Sequence, residues 1–343
     1  MAEAGLMELD AARAPSPAPP SLVDGFGRRF RYLRLSVTEV CNFRCAYCLP
    51  DGYRGKADGF LELDEIARLV RGFAALGVTK VRLSGGEPSV RADLDDIIAA
   101  AAATPGVMKV ALTTNGWRLD RRVRGWRDAG LSHLNVSIDS LDPAAFARLT
   151  GHDRLEDILR GVDTALGLGF GAVKLNAVLL RDTVDSAFDQ FADWLRHRPA
   201  TVRFIELMRT LDNGPWFDAQ HVRAEVLERW LRERGWTARP RRADDGPAIE
   251  YAHPDYAGRF GVIAPYGAGF CDGCNRLRVT ARGKLRLCLF GEGGVDLRDL
   301  LTDSVAPERL EQRILDALPT KQRGHELMLG RSGDLRRMAD VGG

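Results

Sequence analysis

No apolar run in the 343-residue sequence is long enough to cross a membrane. The first 22 residues lack a basic start followed by an apolar core, so no secretory signal is expected and the cytoplasm is the default address. An excess of one charge is also missing. The formal net charge of +2 gives no reason to expect nucleic acid or an anionic membrane as a partner. Lysine is scarce, at six of the 49 basic residues, but arginine abundance identifies no phosphate site by itself. No Ser/His/Asp triad and no carboxylate pair stands out. Cysteine is scarce too, at six residues, yet it is concentrated in two places: Cys41, Cys45 and Cys48, then Cys271, Cys274 and Cys288. Six cysteines could make three disulfides. In a large chain with no export signal, clustered cysteines more often mean metal or redox chemistry.

The Ala/Pro-rich start (Ala14-Pro15-Ser16-Pro17-Ala18-Pro19-Pro20) cannot bury enough surface to fold, and residues 1–26 are expected to form a disordered extension. Beyond it, strand-like runs at Arg31–Val37, Lys80–Leu83, Lys109–Thr113, His133–Ile138, Ala172–Leu179 and Thr201–Ile205 alternate with amphipathic stretches. In Asp64–Leu76, Ile66, Leu69, Val70, Phe73 and Leu76 share one face, and Gly77 is placed to stop the helix. Gly130 and Gly167 read as later stops of the same kind. Six β–α units in series imply a parallel sheet with right-handed crossovers. The expected fold is α/β, a partial (β/α)6 TIM-like barrel over residues 27–240, with a doubly wound open sheet as the alternative. Either places chemistry at the carboxyl ends of the strands. After about Pro240 the pattern breaks into short β-like runs (Arg259–Ala264, Arg276–Thr280, Leu285–Leu289) and a helical stretch at Glu308–Leu318. Residues 241–343 are therefore expected to form a smaller α+β region.

Cys41, Cys45 and Cys48 are spaced C-x3-C-x2-C directly after the first strand. Three thiolates can hold three irons of a [4Fe–4S] cube and leave the fourth iron open to a small ligand. A zinc site completed by a distant histidine is the rival, though zinc folds usually pair two C-x2–4-C knuckles. Ser84-Gly85-Gly86-Glu87-Pro88 follows the second strand. Its glycines would let backbone approach a ligand, and its carboxylate could accept from an amine. With the cysteine loop, this segment resembles the radical S-adenosylmethionine superfamily. That resemblance implies that Tyr47, Gly86, Ser137 and Met208 bind S-adenosylmethionine. Taken singly, Tyr47 and Met208 would read as core and Ser137 as a buried hydroxyl.

The second group runs C-x2-C-x13-C, from Cys271 and Cys274 to Cys288, and again offers three ligands. His253 and His325 are candidates for a fourth; otherwise one iron stays open. The run Phe270-Cys271-Asp272-Gly273-Cys274-Asn275-Arg276-Leu277-Arg278 and the terminal Gly342-Gly343 resemble the bacterial GTP 3′,8-cyclase family that begins molybdenum-cofactor synthesis. The resemblance implies two [4Fe–4S] clusters, S-adenosylmethionine, and GTP as substrate. Arg34, Arg82, Thr113, Lys174, Arg203, Arg276 and Arg278 would contact GTP, the guanidinium forks matching phosphate oxygens in pairs. It also implies an electron donor such as flavodoxin or ferredoxin, a downstream cyclic pyranopterin monophosphate synthase, and a homodimer as the candidate assembly. The Gly-Gly tail would thread into the active site. Departures are local: Ser84 for the usual Thr, Ser89 for Leu, and Glu39-Val40 for Asp-Arg before Cys41. A radical maturase acting on a peptide is a second enzyme reading, and a zinc-stabilised binding protein is the non-catalytic one.

Overall fold

The structure, a computed structural model, describes residues 21–241 and 245–342. Its centre is a parallel sheet of β1 (Tyr32–Ser36), β2 (Lys80–Ser84), β3 (Lys109–Thr114), β4 (His133–Ser137), β5 (Ala172–Leu179) and β6 (Thr201–Glu206), neighbours in that order. Helices α1 (Leu63–Ala75), α2 (Leu94–Ala103), α3 (Leu119–Asp128), α4 (Pro143–Thr150), α5 (Leu155–Gly167) and α6 (Val184–Leu195) make the crossovers. The expected α1 begins at a capping box between Glu62 and Glu65, and Gly77 ends it with φ +89°. α5 ends at Gly167 as expected, and the left-handed position follows two residues later at Gly169, φ +68°.

Segments from residue 237 onward extend this sheet at both edges. Strands β7 (Thr237–Ala238), β8 (Ile249–Ala252), β9 (Arg259–Ile263), β10 (Arg276–Val279), β11 (Lys284–Arg286) and β12 (Val295–Asp296) complete it. β9 pairs parallel with β6, and β10 pairs parallel with β1, so the six-strand series gains one parallel strand at each end. Antiparallel pairs then finish both edges, β10–β11–β12 on one and β7–β8–β9 on the other. The order runs from β12 to β7 without joining up, which makes an open, partial barrel. The expected strand Leu285–Leu289 stops at Arg286, and the chain turns away towards Cys288. The expected disordered extension is shorter than 26 residues: Leu22 is buried, and Asp24 pairs with Arg28 at 2.7 Å. Residues 1–20 lie outside those described.

Alternation along each strand separates two chemistries. Leu33, Leu35, Val81, Leu83, Leu112 and Leu134 point outward and are fully buried under the helices, with Phe73, Trp126 and Phe191. The residues between and beside them point inward, and these are Tyr32, Arg34 and Ser36 on β1 and Lys80, Arg82 and Ser84 on β2. The core therefore lies between sheet and helices, and the concave face is left to polar side chains.

Candidate functional site

Beyond Ser36 the chain leaves β1 and wraps into the loop that carries the first three cysteines. Arg44 and Ala46 donate backbone bonds to Thr150 and Leu149 at the end of α4, and Cys48 and Leu49 turn back onto the Cys45 carbonyl. Phe43 is buried and stacks on His152 at 4.4 Å, while His152 Nε2 meets the Asn42 carbonyl at 2.9 Å. The glycines after β2 hold this loop from beneath. A Cβ at Gly85 would lie 2.2 Å from the Thr38 carbonyl oxygen, and one at Gly86 2.4 Å from that of Val40. Close packing of two backbones thus requires the glycine pair, before any ligand is considered. Glu87 does not face the cavity. Its carboxylate accepts from Ser89 N, Thr114 Oγ1 and Asn115 N at 2.9, 2.7 and 2.5 Å, tying the loop to the end of β3. The expected amine acceptor is a strut.

Cys41, Cys45, Cys48, Tyr47, Gly86, Ser137 and Met208 all line one cavity of about 180 Å³. Burial pushes the Cys41 thiol up to about 12 and Cys48 to about 11, and raises Cys45 well above its ordinary range. Tyr47 donates to Asp139 at 2.8 Å, and Asp139 accepts in turn from Val178 N at 2.8 Å. Burial lifts Asp139 to about 6. The sequence reading missed this carboxylate, although it stands two residues beyond Ser137 at the end of β4.

A second cavity, of about 460 Å³, opens next to the first; Thr113, Asn176, Ile205, Met208 and Met338 line both. Arg34, Arg82, Thr113, Lys174, Arg203, Arg276 and Arg278 all reach its wall, as do Cys271, Cys274 and Cys288. In-register pairing places Arg34 beside both Arg82 and Arg278. Arg82 donates to Thr113 at 3.1 Å and Arg203 to Asn176 at 2.7 Å, but Lys174 pairs with Glu250 at 2.6 Å. Among the described residues, Arg82, Arg203, Arg276 and Arg278 form no ion pair. Burial and then mutual repulsion bring Arg203 and Arg278 down to about 10, and Arg34 well below its ordinary value. Such a crowd of buried cations is unstable by itself and calls for a polyanion.

His325, a candidate ligand of the second triad from the sequence, lines this cavity; so do Tyr32, Lys80 and Lys321, which were not found from the sequence as its members. Two of them had a signal, since Tyr32 and Lys80 continue the i, i+2 alternation of Arg34 and Arg82. Burial raises the Tyr32 phenol, but the field of Arg82, Lys80 and Arg34 outweighs it and holds the group at about 7.

All six cysteines are free thiols. The second triad differs from the first electrically. Burial raises Cys271; it also opposes ionisation of Cys274, but Arg276 and Lys321 overcome that and lower Cys274 below its ordinary value. Among the described residues, no three His, Cys, Asp or Glu side chains close to the spacing of a single metal ion. Three inward-facing thiols around a cavity suit a cube whose irons each take one sulfur, which is wider than a zinc tetrahedron. Gly342 lies beside the same chamber, its carbonyl accepting from Arg34 at 2.7 Å and from Ser84 Oγ at 3.2 Å. Gly343 lies outside the described residues.

A family profile described as the Radical SAM superfamily matches residues 35–195, and one described as Molybdenum Cofactor Synthesis C matches residues 200–327. A GTP 3′,8-cyclase of Stenotrophomonas maltophilia strain K279a is 58% identical over 94% of this chain and 99% of its own. One from Aeromonas hydrophila subsp. hydrophila is 52% identical, over 94% of this chain and 96% of its own. Among solved structures, Streptococcus suis SuiB bound to S-adenosylmethionine superposes with a TM-score of 0.57 at 13% identity. That likeness of fold covers 84% of this chain and 65% of the SuiB chain.

Proposed function

The chain belongs to the GTP 3′,8-cyclase family, and on that premise we propose how its own residues divide the work. The enzyme converts GTP to (8S)-3′,8-cyclo-7,8-dihydroguanosine 5′-triphosphate, the first step of molybdopterin-cofactor biosynthesis. It works with S-adenosylmethionine and an iron–sulfur cluster, which together supply a 5′-deoxyadenosyl radical.

Cys41, Cys45 and Cys48 would hold that cluster and leave one iron open. Tyr47, Gly86, Ser137 and Met208 would hold S-adenosylmethionine in the smaller cavity, with Asp139 fixing the Tyr47 ring. Cys271, Cys274 and Cys288 would hold a second [4Fe–4S] cluster, its open iron free for the guanine. Between the triads, Arg34, Arg82, Lys174, Arg203, Arg276 and Arg278 would bind the triphosphate, and Thr113 marks the passage from one cavity to the other. These side chains fix the ribose relative to the radical source, which is a positioning role. Ile205, Met208 and Met338 make that passage apolar and help to keep water from it. The observation that carries this reading is that Arg82, Arg203 and Arg278, buried and without an ion pair among the described residues, lie inside a chamber whose two ends are cysteine triads.

Forming an isomer of GTP while S-adenosylmethionine is cleaved to methionine and 5′-deoxyadenosine takes up two electrons and a proton, so a one-electron donor such as flavodoxin or ferredoxin, used twice, is the fitting class of partner. A cyclic pyranopterin monophosphate synthase would consume the product. Free thiols that must stay reduced to receive iron fit a cytoplasmic address.

The test is an anaerobic assay of cluster-reconstituted protein with GTP, S-adenosylmethionine and dithionite, read by mass spectrometry. Expected are GTP-dependent 5′-deoxyadenosine and a cyclised isomer of GTP. Deoxyadenosine with GTP left intact would sink the substrate assignment.

A further inference from the structure

His325 follows the helix Pro307–Ala317 by eight residues and returns to the second cysteine triad. Its ring lines the larger cavity together with all three cysteines. Phe290 meets the imidazole edge to face at 5.1 Å, and Phe270 lies tilted against it at 5.9 Å. Nε2 is buried and has no hydrogen-bond partner. A buried polar atom in an aromatic niche is costly when unpaired, so its partner is something the cavity receives.

The other ring nitrogen settles what kind of partner. Leu327 N donates to Nδ1 at 3.4 Å, so Nδ1 presents its lone pair and the ring proton is assigned to Nε2. A metal-bound imidazole needs the reverse arrangement, with the lone pair on the ligating nitrogen and the other nitrogen donating. His325 is therefore poorly set as the fourth ligand of a second cluster and well set as a donor beside it. A cluster held by the second triad would then keep one iron without a protein ligand.

We propose that the Nε2–H of His325 donates a hydrogen bond to the O6/N7 edge of the guanine docked at the second cysteine triad, making His325 a residue that selects the base. The proposal rests on the reading that guanine binds there. Guanine offers two acceptors along that edge, whereas adenine replaces O6 with an amino donor. The arginines grip phosphates and cannot tell one purine from another. A neutral donor at the base end supplies that discrimination.

The experiment is equilibrium binding of nucleotides to the anaerobic, cluster-loaded protein, with wild type, His325→Phe and His325→Gln. The nucleotides are GTP, ATP, 7-deaza-GTP (no N7 acceptor) and 2-aminopurine riboside triphosphate (no O6). Wild type is expected to bind one of the two guanine analogues about tenfold or more weakly than GTP, as loss of one buried hydrogen bond predicts. Phe, which suits the aromatic niche, should lose that preference, and Gln, which keeps a donor, should restore part of it. Whichever analogue loses affinity names the acceptor atom. Equal binding of GTP and both analogues by wild type overturns the proposal without any variant. So does a uniform loss in His325→Phe that spares the analogue preference, since a structural role weakens all nucleotides alike. A shift in cluster potential with no analogue dependence would instead assign Nε2 to a cluster sulfide and also overturn it. If GTP leaves the spectrum of the second cluster unchanged in wild type, the underlying guanine site fails, and that outcome is separate from the His325 result.

Discussion

Single side chains in the larger cavity are tuned against one another, and Tyr32 shows the consequence. In the substrate-free pocket Lys80, Arg82 and Arg34 surround the phenol and hold it at about 7. A triphosphate brought among those cations cancels their field, so the bound complex favours the protonated phenol. Binding then takes up a proton above pH 7, and affinity must fall as pH rises. GTP affinity measured from pH 6.5 to 8.5 is expected to drop by up to about tenfold per unit above 7, relative to Tyr32→Phe, in which the dependence disappears. An identical pH profile for the two proteins would count against it. Arg278 makes a second case. It is buried without an ion pair among the described residues, and it repels its neighbour Arg276. Arg278→Met should raise the dissociation constant for GTP by roughly 10- to 100-fold, the worth of a charge-assisted contact. It should leave the melting temperature of the substrate-free protein unchanged or higher, because an unpaired buried charge is gone. A melting point that falls in parallel with affinity would show that Arg278 is structural.

Among the elements, the β1 and β2 exits are built as a pair. Gly86 N donates to the Thr38 carbonyl at 2.9 Å and Glu87 N to that of Val40 at 2.8 Å, so the segment after β2 splints the loop that carries Cys41. Gly86→Ala puts a methyl group 2.4 Å from the Val40 oxygen, where only backbone movement can make room. A destabilisation of about 1–3 kcal/mol is expected. Iron content should fall by about half as the first triad loses its arrangement while the second keeps its own. Thermal melting and iron per chain check the two parts, and full iron loading with unaltered melting would refute the splint.

Across the whole molecule, segments far apart in sequence meet at the second triad. Arg28 donates to the carbonyls of Cys271, Gln322 and Arg323 at 3.1, 2.8 and 2.6 Å, and its Nε is held by Asp24 at 2.7 Å. One guanidinium thus ties the N-terminal segment to the cysteine loop and to the approach to His325. Arg28→Ala removes the donor shared by three part-buried carbonyls and is expected to cost about 1–3 kcal/mol in all. The second triad should then lose its iron while the first keeps its own, the mirror image of Gly86→Ala, with S-adenosylmethionine binding retained. Loss of iron from the first triad instead would break this assignment.

Much was readable in one dimension because it depends on local period and spacing. Strand alternation, the α1 face ending at Gly77 and the two cysteine spacings are set by neighbours a few residues apart, so the barrel series and the thiols could be located directly. The inward cations on β1 and β2 were readable in part, from the same alternation. Other features were decided only when distant segments met. The sheet continues past residue 240 because β9 and β10 find β6 and β1, a pairing that no local pattern encodes. Glu87 became a strut and not an amine acceptor because Thr114 and Asn115 arrive from β3. His325 acquired a donor nitrogen facing the cavity from Leu327 on one side and two phenylalanine rings on the other. Sequence determined which thiols and cations this protein has; tertiary structure decided which of them share a chamber, because hydrogen-bond direction and burial exist only once the chain has closed.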